Sequence, residues 1–198
     1  SAYYVPDLKF VFDAGLAVKS LEPKTVLLTH GHRDHAQALP SLARRPRFGK
    51  EKQNTAKQVI VPADIETLAK NFVQADAALN YGQIQSDNET DAALGAVDFV
   101  AARPGDRIEL NAGKDLVVKV YNATHKPGVP AVAYGVCRRK KRLRPEFANA
   151  DAAFIRDHRD DAVEVYDDGL IFYSGDSTID MVLADPAVLD DYPYVIHE

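Results

Sequence analysis

The chain has 198 residues, a net charge of −5 and a single cysteine, Cys137. That length fits one domain, residues 1–198, able to bury a core without staples, and the lone cysteine excludes an intrachain disulfide and favours a reducing compartment. The acidic balance excludes the global basic field that marks many nucleic-acid binders, so any RNA contact has to come from a local patch.

Residues 8–12 predict a short strand, closed by Asp13-Ala14-Gly15. Residues 25–29 predict a second strand, β-branched and apolar, which runs straight into Thr29-His30-Gly31-His32-Arg33-Asp34-His35. A short helix is expected over 36–42. The basic, polar stretch 44–57 reads as an exposed loop. Residues 59–61 form a strand, and Pro62 with Asp64 suits a helix start, with Ile65, Leu68, Ala69 and Phe72 at helical spacing. Residues 82–93 are polar and read as loop. Strands are expected near 99–100, 107–110 and 116–121, with Asn111-Ala112-Gly113 as the turn between the last two. Residues 132–137 form a strand ending in the charge run Arg138-Arg139-Lys140-Lys141-Arg142. Residues 148–158 suit a helix and 170–173 a buried strand that ends at Ser174-Gly175-Asp176-Ser177. No run is long enough to cross a membrane. Short strands with a few helices between them define a mixed α/β class.

Half of the six histidines lie between positions 30 and 35. Imidazole and carboxylate together suit zinc and similar divalent ions. His125, Asp176 and His197 each follow a strand, as the His-rich loop does. Strand ends converge at one edge of a sheet, where metal and ligand sites form. Each of the later residues also has a plain structural reading. Gly-Asp-Ser is an ordinary turn, a strand-end histidine is commonly a satisfied polar residue, and His197 sits at a frayed end. The order of the motifs favours metal binding. Asp13 reads as a hydrogen-bonding residue that positions the metal loop rather than a ligand. His158 reads as a surface residue and Cys137 as a small core residue.

His30-Gly31-His32-Arg33-Asp34-His35, preceded by Phe12-Asp13-Ala14-Gly15 and followed by His125 and Ser174-Gly175-Asp176-Ser177, resembles the metallo-β-lactamase superfamily of dinuclear metal hydrolases. Within it, three stretches are most similar to the tRNase Z (ribonuclease Z) family. They run from His125-Lys126-Pro127-Gly128-Val129-Pro130 through Tyr134-Gly135, over Ile171-Phe172-Tyr173-Ser174-Gly175-Asp176-Ser177, and along Ile196-His197-Glu198.

The resemblance implies an αββα four-layer sandwich with terminal elements lying outside this sequence. It implies two zinc ions. His30, His32 and His125 would hold one, Asp34 and His35 the second, and Asp176 would bridge both. It further implies endonucleolytic 3′ processing of precursor tRNA by a metal-bridged hydroxide, with Asp34 orienting or deprotonating the water and His197 assisting at the leaving group. Family members often dimerise, which implies a homodimer. A further zinc-ligand histidine of the family lies downstream of the His-Glu segment, beyond Glu198, so the second zinc site is incomplete in this sequence. Two alternatives stay open. One is a hydrolase of a small thioester, lactone or cyclic nucleotide on the same fold. The other is a non-catalytic RNA-binding or scaffold member. For the run 138–144, phosphate contact and a solvated basic loop both remain open.

Overall fold

The computed structural model describes residues 1–18, 20, 22–44, 56–82 and 97–198. Residues 45–55 of the basic stretch expected at 44–57, and residues 83–93 of the polar loop expected at 82–93, lie outside the described residues.

Two five-stranded sheets carry the fold. The first contains β1 (Tyr3–Val5), β2 (Phe10–Phe12), β3 (Thr25–Leu27), β4 (Lys57–Pro62) and β5 (Val97–Ala102), in that spatial order. β1 runs antiparallel to β2, and all the later neighbours are parallel. Parallel strands are covered on both faces, so their sequences read as continuous apolar runs rather than alternating ones. Phe10-Val11-Phe12 and Val59-Ile60-Val61 are buried at every position. The second sheet contains β6 (Arg107–Glu109), β7 (Leu116–Asn122), β8 (Val132–Leu143), β9 (Val163–Tyr173) and β10 (Val195–Ile196). It is antiparallel except where β10 joins β9.

Three apolar clusters stack these layers. Between the sheets, Phe10, Phe12, Leu27 and Ile60 meet Val118, Tyr134, Val136 and Tyr173. Tyr134 reaches across the gap, and its hydroxyl donates to the Leu28 carbonyl at 2.8 Å. On the outer face of the first sheet, Val11, Val26, Val59 and Val61 meet helices α1 (Arg33–Ala36), α2 (Leu39–Arg44) and α3 (Glu66–Tyr81) through Leu39, Leu42, Val73 and Ala77. On the outer face of the second, Val117, Ala133, Cys137 and Phe172 meet Met181, Val188 and Tyr192 of the short helices near the end of the chain. The result is the four-layer αββα sandwich that the sequence resemblance implied.

Several local expectations need correction. The single helix expected at 36–42 is two, α1 and α2. The apolar stripe of α3 is Ala69, Val73 and Ala77, spaced four apart. Leu68 and Phe72 flank it and stay partly exposed. Lys57 is not in an exposed loop. It opens β4, is buried, and donates from Nζ to the Leu42 carbonyl at 2.6 Å. The run Arg138–Arg142 is not a loop either. It continues β8 as the outer half of a long ribbon with β9, in which Arg138, Arg139, Lys140, Lys141 and Arg142 face Asp168, Asp167, Tyr166, Val165 and Glu164. The expected helix over 148–158 is confined to Ala152–Asp157, capped by the Asp151 carboxylate, which accepts from Phe154 N–H. No helix among the described residues is long and apolar enough to cross a membrane.

Candidate metal centre

The site lies where β2, β3, β7, β9 and β10 end. Asp13 follows β2 and takes a left-handed backbone, φ 57°, which aspartate tolerates better than most residues. Its buried carboxylate accepts from Thr29 N–H at 2.8 Å, the Thr29 hydroxyl at 2.9 Å, His35 Nδ1 at 2.8 Å and the Tyr173 hydroxyl at 2.6 Å. The loop after β3 is thereby pinned to the end of β2. The Thr29 carbonyl accepts from Val132 N–H at 3.0 Å, which ties the same loop to the second sheet.

Hydrogen bonding then fixes which nitrogens of the histidines are bare. The Thr29 hydroxyl gives its one proton to Asp13, so toward His30 Nδ1, 3.0 Å away, it offers only a lone pair. His30 therefore carries its proton on Nδ1, and Nε2 is an acceptor. That nitrogen is buried and has no hydrogen-bond partner among the described residues. His35 donates from Nδ1 to Asp13, leaving a bare Nε2 that sits 3.1 Å from Asp176 Oδ1 and 3.2 Å from Asp34 Oδ2. His125 donates from Nδ1 to the Asp176 carbonyl at 2.6 Å and turns Nε2 toward His32 Nδ1, 3.2 Å away. Nitrogens of four imidazoles and oxygens of two carboxylates therefore face one another, and a divalent cation satisfies such a set.

The donors fall into overlapping groups, each with its ligand atoms within 4.8 Å of one another. One is His30, His32, His125 and Asp176. The other is Asp34, His35 and Asp176, so Asp176 belongs to both. Its Oδ2 is 4.0 Å from His30 Nε2 while Oδ1 faces His35. Gly175 makes this possible. Its φ of 57° suits glycine, and a Cβ there would lie 2.8 Å from Thr29 Oγ1.

The electrostatics divide the histidines. Burial, with help from His35 and His125, pushes the His30 imidazole down to about 4. Burial also works against charge on His35, but the hydrogen bond and charge of Asp13 outweigh it and raise its pKa. Asp34 is 73% exposed, at the mouth of the site. Its partial desolvation is outweighed by a backbone hydrogen bond and the nearby histidines, which hold its pKa below the usual value.

His197 lies outside both groups. It follows β10, exposed, with Nδ1 2.8 Å from Ser174 Oγ, two residues before Asp176. Sequence reasoning did not find Tyr173 and Glu198 as members of this network. Glu198 Oε2 faces the Tyr173 hydroxyl at 2.9 Å, Oε1 accepts from Tyr3 at 2.7 Å, and the carboxylate lies within the same 4.8 Å range of Asp13 and His35. Tyr173 and Glu198 both lie in stretches that carry the family resemblance, yet the resemblance gives neither a task there, and Tyr173 reads as one more apolar strand residue.

Fold and site together describe an αββα sandwich with a candidate metal centre at one rim. No protein-family profile matches the sequence, and no characterised protein matches it closely enough to count as a relative. Among solved structures, the chain is similar to human tRNase Z, short form, at 14% identity, covering 69% of this chain and 56% of that one, with a TM-score of 0.41. It is also similar to Zn2+-bound PqqB from Methylobacterium extorquens, at 12% identity, covering 92% of this chain and 55% of that one, with a TM-score of 0.40. The chain thus spans little more than half the length of either.

Proposed function

We propose that this chain is a metal-dependent hydrolase that takes two zinc ions and cleaves phosphodiesters in RNA, with precursor tRNA as its substrate. The observation that carries the hydrolase reading is the convergence of bare imidazole nitrogens on Asp176, with His30 Nε2 buried and unpartnered. His30, His32 and His125 would hold one ion, Asp34 and His35 the other, and Asp176 would touch both. Such an ion pair supplies a nucleophile at neutral pH and neutralises charge developing on phosphorus.

The protein groups then have distinct tasks. Asp34, exposed at the mouth, orients the attacking water and can take its proton. His197, held through Nδ1 by Ser174, has Nε2 left to give a proton to the leaving oxygen. Asp13 keeps the His35 ring in the tautomer that leaves Nε2 bare. The choice of tRNA rests on the sequence resemblance in the stretches around His125, Asp176 and His197. Metal analysis of purified protein, followed by cleavage of a precursor tRNA bearing a 3′ trailer, tests both levels. Two zinc ions and a product ending in a 3′-hydroxyl are expected. No RNA cleavage by fully loaded protein would reject the substrate assignment, and absence of bound metal would reject the hydrolase.

One observation favours the small-molecule alternative. A cleft of about 1030 Å³ opens beside His32 and Arg33, walled by Leu16, Leu39, Ile65 and Val129. Apolar walls suit an acyl or other hydrophobic group better than a phosphate backbone. Turnover of a long-chain thioester in preference to RNA would select this second reading.

A further inference from the structure

We propose that Tyr173 is a positioning residue for the Asp34–His35–Asp176 half of the centre, acting through Asp13. The proposal rests on the metal reading above. Tyr173 closes β9 and is wholly buried between the sheets, its ring 4.9 Å from that of Phe12 and 5.4 Å from that of Tyr3. Its hydroxyl is 2.6 Å from Asp13 Oδ2 and 2.9 Å from Glu198 Oε2. One proton thus sits between two carboxylates, and the shorter distance is to Asp13.

Asp13 Oδ2 is also the acceptor for His35 Nδ1. The two donors clamp this oxygen from opposite sheets, since Tyr173 belongs to the second and His35 to the segment that follows β3 of the first. Without the hydroxyl, the carboxylate is free to turn toward Thr29, which is 2.9 Å from Oδ1 and 3.0 Å from Oδ2. The His35 ring then loses its fixed direction. His30 is linked to Asp13 only through Thr29, and neither His32 nor His125 has a bond to Asp13. The effect therefore falls on one half of the centre. Partners that orient a metal-binding histidine this way typically change affinity by roughly 10–100-fold.

The test is a titration of metal-free protein with Co2+, followed by visible absorption, on the wild type, Tyr173→Phe and Tyr3→Phe. Two binding steps are expected in the wild type. In Tyr173→Phe, one step weakens by roughly 10–100-fold and the other holds. Tyr3→Phe, which loses a hydroxyl bonded to Glu198 alone, leaves both steps as they were. Equal weakening of both steps in Tyr173→Phe, or no weakening, overturns the proposal. A wild type that takes up no cobalt overturns the metal reading itself, and this is visible before any variant is compared. If Tyr173→Phe fails to fold, Glu198→Ala provides the second measurement. Removing that competing carboxylate leaves the hydroxyl wholly to Asp13, so neither step weakens, and a weakened step overturns the proposal.

Discussion

Asp13 and His35 lie on separate turns of the chain, yet Oδ2 and Nδ1 stand 2.8 Å apart with both side chains shut away from solvent. A buried carboxylate is costly unless its oxygens are filled with donors. Asp13 has four, and three of them come from the residues that open the His-rich loop and close β9, Thr29 and Tyr173.

Asp13→Ala is expected to destabilise metal-free protein by on the order of 3–5 kcal/mol, because it strands buried donors of Thr29, His35 and Tyr173 together. Urea unfolding of wild type and variant measures the difference. A loss below about 1 kcal/mol would mean that water replaces the carboxylate with ease.

The pH profile of metal-free protein follows from His30. Its pKa stands at about 4 because burial disfavours the charged ring, and the unfolded imidazole titrates near 6.5. Between those values the unfolded chain holds the extra proton. The contribution is whole above about pH 6.5 and is lost as pH falls toward 4, an effect on the order of 3 kcal/mol. His35 runs the other way. Its raised pKa gives stability below the unfolded value that fades as pH rises through the folded one. His30→Gln should therefore flatten the decline in urea midpoint between pH 6.5 and 4. An acid limb identical to that of wild type would remove His30 as its source.

Chelation offers a separate check on the centre. An ion held by His30 and His32 on one side and His125 and Asp176 on the other bridges the two sheets. Stripping it should lower the melting temperature, and added zinc at about 100 times its dissociation constant should restore roughly 2.7 kcal/mol. Calorimetry with and without chelator reads this, and identical traces would speak against a metal that bridges the sandwich.

The basic run on β8 makes a prediction about RNA. Lys140 pairs with Asp168 at 2.6 Å, Arg142 with Glu164 at 2.6 Å and Arg139 with Glu109 at 2.7 Å. These cations are already engaged by acids on the protein, whereas Arg138 and Lys141 have no such carboxylate among the described residues. Replacing Arg138 and Lys141 by Ala should weaken RNA binding and cut the salt slope by roughly 1 per lost phosphate contact. Replacing Lys140 and Arg142 should change it less. The comparison calls for RNA affinity at several salt concentrations, and equal slopes for both pairs would exclude the ribbon from the interface.

How much of this was legible in the sequence depends on the range of the interaction. The loop from Thr29 to His35 declares itself because its donors are neighbours. The strands were legible because Phe10-Val11-Phe12 and Val59-Ile60-Val61 are apolar throughout, as strands covered on both faces must be, whereas the four layers came only through the family resemblance. The outer half of β8 was hidden, since five consecutive cations resemble a loop until Glu164, Asp167 and Asp168 appear across from them. Lys57 was hidden for a similar reason. The Leu42 carbonyl that accepts from this buried lysine lies fifteen positions earlier. Tyr173 and Glu198 could not be found by spacing, because Asp13, which accepts from Tyr173, and Tyr3, which donates to Glu198, lie far back along the chain.

That separation bears on how the protein comes to be loaded. Asp176 follows His35 by 141 positions in the sequence. A nascent chain emerging from the ribosome has the early imidazoles long before the late carboxylate. A cation that needs both would be held tightly only once β9 has docked, so its uptake would report when the two sheets have closed.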